Sequence, residues 1–223
     1  MLEQLAEFQR QNAQLLAQFQ ELSKRIHDQD IESFEDLQKF DKKAADALIK
    51  LAVQTQALPL DGRNFGFFGL TSTGKSTIIN KLIGQNLAEV GAGETTTRIQ
   101  PYVGQGYRLF DIPGRNDEMS YFSMEYISFW KGLTARLVVI TVTVKEMTKV
   151  LRLLDAIGLS YDIIVNKFDT VPFEEREKFK GKIQEEVTQN GLKGVNRIWF
   201  VSAENPKQFP DWLEMVNYLT KIN

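Results

Sequence analysis

Over the first sixty positions apolar residues recur at alternating steps of four and three. Met1, Leu5, Phe8, Leu15, Phe19, Leu22 and Ile26 follow this rhythm, with the polar Asn12 inside it. A second seam runs through Phe34, Leu37, Asp41, Ala44, Leu48, Leu51, Thr55 and Leu58. Such a period is a heptad seam. It predicts two helices of about 27 residues, each about 40 Å long at the α-helical rise. The turn "HDQD", His27 to Asp30, folds them into an antiparallel, coiled-coil-like hairpin. A lone hairpin cannot cover both apolar faces, so it packs on the rest of its chain, on a second chain, or on a membrane or other protein. "LPLDG", Leu58 to Gly62, reads as a linker, which divides the chain into a helical hairpin at 1–60 and a second domain at 61–223.

In the second domain the rhythm changes. Short apolar runs, "NFGFF", "YRLFD", "RLVVITVTV", "YDIIV" and "RIWFVS", alternate with segments of helical period. The helical segments include Ile78, Ile79, Leu82 and Ile83, then "SYFSMEYISFWKGL", and "EMTKVLRLLDAIG" closed by Gly158. They continue with the charged "EEREKFKGKIQEEVTQNG" closed by Gly191 and end with "PDWLEMVNYLTK", which carries proline near its start. This alternation predicts an α/β fold, a mostly parallel sheet with helices on both faces. Trp130, Trp199 and Trp212 read as core or interface residues, and the lysines of the charged helix as a solvated face.

Composition narrows the classes. The chain has 223 residues, 43% hydrophobic and 25% charged, as in ordinary globular proteins. No run reaches the ~18–20 apolar residues of a membrane span, and the glutamine-rich start lacks a basic-then-apolar signal. The absence of cysteine excludes disulfides and thiolate chemistry and fits a cytoplasmic location. A net charge of −2 argues against broad non-specific nucleic-acid binding. The single histidine, His27, has no acidic or cysteine cluster around it in sequence and reads as solvent-facing.

The chemistry starts at "GLTSTGKST", Gly69 to Thr77. Gly69 to Ser76 spells G-x-x-x-x-G-K-S between a strand and a helix, the phosphate-loop pattern in the context it requires. Glycines let the backbone wrap closely, so the N–H groups of Gly69, Thr71, Ser72, Thr73, Gly74, Lys75, Ser76 and Thr77 can converge on phosphate oxygens. Lys75 would reach the β- and γ-phosphates and Ser76 would ligate Mg²⁺. Downstream, Asp111 ends an apolar strand and can hold the Mg²⁺ shell through water, while Gly114 can bring its N–H to the γ-phosphate. Another strand ends in Asn166-Lys167-Phe168-Asp169, where a fixed carboxylate can accept the two N–H donors of guanine's edge, a pair adenine lacks. A last strand ends in Ser202-Ala203, where a backbone N–H can meet the guanine O6.

Four stations in this order, each at a strand end, resemble the G domain of the translation-factor-related (TRAFAC) GTPases, from about Arg63 to the end of the chain. The resemblance implies GTP and GDP as substrate and product with Mg²⁺. It assigns guanine selection to Asn166 and Asp169, places Lys167 along the base, and completes the pocket with Ser202 and Ala203. Thr97, before Arg98, resembles the first-switch threonine of the Era-like members and would close over Mg²⁺, with Thr96 and Thr95 as alternatives. Arg115 stands where Ras-like enzymes place a water-orienting glutamine, so that mechanism is not available in its usual form. Septin-like, dynamin-like and Era-like relatives without this glutamine form G-domain dimers or use a monovalent cation. Ser72, the fourth residue of the loop, is similar to the dynamin-like arrangement. Arg115 or Arg98 would then act as a charge-stabilising finger in trans, or be a surface arginine paired with Asp117 or Glu118.

"FDIPG" and the helical lead also resemble the immunity-related GTPases, although those and the dynamin-like proteins usually carry a large helical region after the G domain. The chain therefore reads as a minimal relative or as part of something longer, and membrane remodelling has no support in it. Two functions follow from the resemblance. One is a GTP-hydrolysing switch that forms a nucleotide-dependent homodimer and signals to a protein partner through the hairpin. The other is an Era-like ribosome-associated GTPase. A GTP-binding scaffold with negligible hydrolysis is a third.

Overall fold

A computed structural model describes residues 7, 10–31, 33–84, 100–104, 106–112 and 122–221. The chain divides into two compact units. One is helical and comprises Met1–Leu60, Arg115–Leu133 and Lys149–Leu159; the other holds the sheet and comprises Asp61–Gly114, Thr134–Thr148 and Ser160–Asn223. In chain order the helices are α1 (Ala13–Asp28), α2 (Phe34–Phe40), α3 (Lys42–Gln54), α4 (Lys75–Ile83), α5 (Met124–Gly132), α6 (Thr148–Ala156), α7 (Arg176–Gln189) and α8 (Pro210–Lys221). The strands are β1 (Arg63–Phe68), β2 (Gln100–Val103), β3 (Tyr107–Asp111), β4 (Ala135–Ile140), β5 (Tyr161–Val165) and β6 (Val195–Phe200).

The six strands lie in the order β2-β3-β1-β4-β5-β6. All neighbours are parallel except β2, which runs antiparallel to β3. The predicted α/β fold with a mostly parallel sheet is therefore observed. The runs forming β1, β4 and β5 are apolar almost throughout because parallel strands are buried. One core gathers Phe65 and Phe67 from β1, Ile78 and Ile79 from α4, and Met215 and Leu219 from α8. Trp130 and Trp199 are buried, and Trp212 packs against this core.

Connectivity fixes the place of the site. From β1 the chain passes to β2 and β3 on one side of the sheet, then returns to β4 on the other. In open α/β sheets ligands bind outside the carboxyl ends of the strands at such a reversal. The register sets Phe67 of β1 beside Asp111 of β3, and Phe68 beside Val138 of β4.

Two elements differ from the sequence reading. The strand expected over Arg136–Val144 stops at Ile140, and Val144–Met147 form a turn of 3₁₀ helix. There the Thr143 side chain accepts from Lys145 N, and the buried Glu186 of α7 accepts from Val144 N at 2.9 Å and Thr143 Oγ1 at 2.7 Å. Side-chain acceptors thus take backbone donors that a strand would have used. The edge strand β2 was not anticipated, because a four-residue "QPYV" carries too little alternation.

In the helical unit the seam residues Phe19, Leu22, Ile26, Phe34, Leu37, Ala44, Leu48, Leu51, Thr55 and Leu58 are buried, Asn12, Leu15 and Asp41 are half-buried, and Met1, Leu5 and Phe8 lie outside the described residues. The second long helix, however, is two helices broken at Asp41, a correction to the expected unbroken coiled-coil-like pair. Asp41 leaves the helical conformation, and its carboxylate caps α3 by accepting from Ala44 N at 3.0 Å. Arg25 and Gln29 reach the same carboxylate from the end of α1. Ser33 caps α2, and His27 is exposed, as expected. The hairpin does not stand alone, since α1 packs on α3 and α5. Lys131 of α5 donates to the carbonyls of Ala52, Val53 and Thr55 at 2.6, 3.1 and 2.6 Å, satisfying the end of α3.

Candidate functional site: the carboxyl end of the central strands

After β1 the chain turns through residues 69–74 and enters α4 at Lys75. Two positions admit only glycine. A Cβ on Gly69 would lie 2.4 Å from the Val139 carbonyl oxygen, and one on Gly74, at φ 91°, would lie 2.3 Å from the Asn166 amide nitrogen. Ser72 takes the left-handed conformation at φ 66° and is exposed with Thr71, whereas Thr73 is buried and donates from Oγ1 to the Leu70 carbonyl at 2.9 Å. Thr77 is half-buried in the first turn of α4.

Lys75 folds back over this loop. Its Nζ donates to the Gly69 carbonyl at 2.8 Å and the Leu70 carbonyl at 3.1 Å. Burial pulls its pKa down, opposed by the nearby Asp111 carboxylate. Asp111 is 1% exposed at the end of β3. Its Oδ2 accepts from Ser76 Oγ at 2.8 Å, and its Oδ1 is buried with no hydrogen-bond partner among the described residues. Burial pushes its pKa up, tempered by Lys75 and the Ser76 hydroxyl.

An orphaned carboxylate oxygen beside a serine hydroxyl fits a hard divalent cation. Among the described residues no group of three or more His, Cys, Asp or Glu could hold a metal alone. Phosphate and water would have to complete the shell, which is how Mg²⁺ is usually bound.

The other end of the site is organised by Asn166, 2% exposed at the end of β5. Its Nδ2 donates to the Thr73 carbonyl at 2.9 Å, and its Oδ1 accepts from Ala203 N at 3.0 Å. The amide thus ties the glycine loop to the loop after β6. Both of its ends are engaged, and so is the Ala203 N–H that the sequence reading offered to a base oxygen. Lys167 is exposed in a left-handed conformation at φ 59°. Phe168 turns inward, with ring centroids 5.2 Å from Phe200, 5.6 Å from Phe209 and 6.0 Å from Phe179. The Arg176 guanidinium lies over the rings of Phe168, Phe173 and Phe209 and donates to the Val171 carbonyl at 3.2 Å. Inward Phe168 leaves its neighbours Lys167 and Asp169 toward solvent, Asp169 half-buried. Asp169 Oδ2 accepts from the Asn205 side-chain amide at 2.9 Å, and the buried Ser202 accepts through Oγ from Asn205 N at 3.0 Å.

The structure therefore brings together Gly69, Thr73, Gly74, Lys75, Ser76 and Asp111 around the loop, and Asn166, Asp169, Ser202 and Ala203 beside it. Thr97, Gly114 and Arg115, with the alternatives Thr95, Thr96 and Arg98, lie outside the described residues. Sequence reasoning missed Asn205 and Arg176. An Asn three positions after a Ser in a loop is a common side-chain-to-backbone pattern, but it gives no pointer to Asp169.

A protein-family model described as 50S ribosome-binding GTPase matches residues 64–167, from β1 to the Asn166-Lys167 pair. The chain has the α/β fold of a P-loop GTPase G domain. The GTPase domain is similar to the "Probable GTP-binding protein EngB" of Mycoplasmoides gallisepticum, 29% identical over 61% of this chain and 78% of that protein. It is also similar to the EngB protein of Mycoplasma pneumoniae, 26% identical over 70% of this chain and 86% of that protein. Among solved structures, a point variant of Era from Aquifex aeolicus bound to GDP.AlF4⁻ matches with a TM-score of 0.51 at 18% identity, over 71% of this chain and 56% of that one. A bacterial selenocysteine-specific elongation factor, EF-Sec, gives a TM-score of 0.50 at 14% identity over 73% of this chain and 29% of that one, so this chain spans under a third of it. At these identities the structural likeness concerns the fold. These two curated relatives are EngB proteins, and they lend no support to the dynamin-like or immunity-related features of the resemblance. Among the described residues no helix is long and apolar enough to cross a membrane.

Proposed function

We propose that this chain binds GTP with Mg²⁺, hydrolyses it to GDP and phosphate, and uses the two nucleotide states to engage and release a ribosomal particle. The observation that carries the nucleotide site is the Asn166 bridge between Thr73 and Ala203, which fixes a phosphate-binding loop and a base-binding loop in one frame. The ribosomal partner rests on the matched family description.

In this reading the loop amides and Lys75 hold the β- and γ-phosphates. Lys75 exchanges its two carbonyl partners for phosphate oxygens, which suit a buried ammonium better. Bound Mg²⁺ would neutralise charge on the β- and γ-oxygens. Ser76 and Asp111 would hold it, directly and through water. Water attacks the γ-phosphorus, the bond from that phosphorus to the bridging oxygen breaks, and the oxygen leaves with GDP. Thr97 and Gly114 are assigned to the γ-phosphate and Asp169 to guanine. Arg115 cannot act as a base, so activation of the water falls to a partner or to the phosphate itself.

A second reading, activation by G-domain dimerisation with a monovalent cation, rests on Ser72, which the loop holds exposed. Nucleotide binding and hydrolysis separate the cases. GDP is expected to bind at least tenfold tighter than ADP, a difference of about 1.4 kcal/mol, and equal affinity would defeat the guanine assignment. Hydrolysis that rises with added 50S particles supports the ribosomal reading. A rate per molecule that rises with protein concentration alone supports the dimer, and no response to either overturns both modes of activation.

A further inference from the structure

The base-reading carboxylate does not stand unsupported. Asp169 extends from a short 3₁₀ turn, Phe168–Thr170, and is only half-buried, so packing alone does not fix the plane of its carboxylate. Among the described contacts one donor reaches it from across the sequence, the side-chain amide of Asn205, 2.9 Å from Oδ2. Asn205 is itself held by its backbone. Its N–H donates to the Ser202 hydroxyl at 3.0 Å, and its carbonyl accepts from Gln208 N at 3.0 Å where it opens the turn Pro206–Gln208. The loop thus stays tied whatever side chain sits at 205, while the amide is aimed at one oxygen of one carboxylate.

We propose that Asn205 is the positioning residue for base specificity: its amide sets the plane of the Asp169 carboxylate so that both oxygens face the two N–H donors of a guanine edge. This rests on the assignment of Asp169 to guanine made above. A carboxylate that pairs with N1–H and the 2-amino group together must lie in the plane of the base. One that meets a single N–H tolerates rotation about its Cβ–Cγ bond. The amide hydrogen bond uses a lone pair of Oδ2 and leaves another on the same oxygen for the base.

Inosine diphosphate lacks the 2-amino group and makes only the N1–H contact, so it reports on orientation. Binding of GDP, IDP and ADP to the full chain and to Asn205→Ala is measured by calorimetry, with thermal unfolding of each protein. The unsubstituted chain should prefer GDP over IDP and both over ADP. In Asn205→Ala, GDP affinity should fall about threefold to tenfold, the worth of one hydrogen bond. IDP affinity should change less, so the GDP-to-IDP ratio narrows. Asn205→Asp, isosteric but carrying a like charge against Asp169, should lose more GDP affinity than the alanine variant. Asn205→Gln, which keeps the amide donor, should recover part of the ratio. Equal losses for GDP and IDP in the alanine variant would make Asn205 a merely structural residue and overturn the proposal, as would an unchanged ratio. If the unsubstituted chain does not prefer GDP to ADP, the guanine assignment itself fails, which is a different result. Should the alanine variant unfold, the aspartate and glutamine variants decide between the outcomes.

Discussion

The two ends of the proposed nucleotide site place their charges differently. At the phosphate end Lys75 and Asp111 are both buried, each with its pKa displaced by burial toward its neutral form. At the base end the buried polar group is a neutral amide, Asn166, and the charged Lys167 and Asp169 reach toward solvent. A buried charge costs stability until a ligand of opposite sign arrives. The phosphate end therefore holds strain that phosphate and a cation would relieve. The base end is satisfied within the chain and spends little on waiting. Affinity should come mainly from the first, specificity from the second.

The largest expected effect tests the phosphate end. Lys75→Ala removes the buried ammonium and should weaken GTP binding by roughly a hundredfold or more, the ~3 kcal/mol of a truncated buried charge contact. The residual binding should keep its preference for guanine over adenine. If selectivity collapses with affinity, the two ends are not separable. Next comes the joint between them. Asn166→Ala leaves the Thr73 carbonyl and the Ala203 N–H without their buried partner and should destabilise the chain by about 2–4 kcal/mol in denaturant unfolding. Loss of nucleotide affinity without loss of stability would instead make Asn166 a direct contact to the base.

The pH dependence gives a smaller effect with a definite sign. The folded pKa of Asp111 is raised above the ordinary 3.8, so the folded chain holds that proton more tightly than the unfolded chain. Its contribution favours the fold at low pH and is lost as pH rises through the folded pKa. Asp111→Asn cannot lose it. In nucleotide-free protein the stability of the variant relative to the parent should therefore rise with pH from about 3.8 until pH passes the folded pKa of Asp111. The same variant should bind GTP with Mg²⁺ more weakly, because an amide is a poorer partner for the cation. A relative stability that falls with pH would mean that the Lys75 attraction outweighs burial.

The same contrast explains what the sequence could tell. The phosphate loop is legible because one stretch supplies nearly all of it, and the close approaches at Gly69 and Gly74 leave glycine no substitute. Asp111 was legible from its place after an apolar run. The inward use of Asn166 was not, because its partners Thr73 and Ala203 are 93 and 37 residues away in the chain. Asn205 and Arg176 act across loops and carry no periodic signal. In the helical unit the seam predicted burial from Phe19 to Leu58 at every described position but Asp41, and it did not predict the break, because Asp41 fits the heptad count while its carboxylate prefers to cap a helix.

The smallest effect bears on how the base end is held. Arg176 lies over three phenylalanine rings, at 5.1 Å from the Phe209 centroid and 5.6 Å from those of Phe168 and Phe173, and pins the Val171 carbonyl. These contacts clamp the segment that carries Asp169, from the side opposite in sequence to Lys167. Arg176→Ala removes a partly exposed cation–π stack worth about 0.5–1 kcal/mol. Phe168 keeps its buried ring contacts, so the loop should loosen rather than unfold. GDP affinity should fall about twofold to threefold, a modest fraction of one hydrogen bond, and unfolding stability should fall by about 0.5–1 kcal/mol. Arg176→Lys keeps the charge but not the planar face, so it should recover less than half of that loss. A full recovery by lysine would show that charge alone, not stacking, holds the base loop, and the base end would then depend on electrostatics as the phosphate end does.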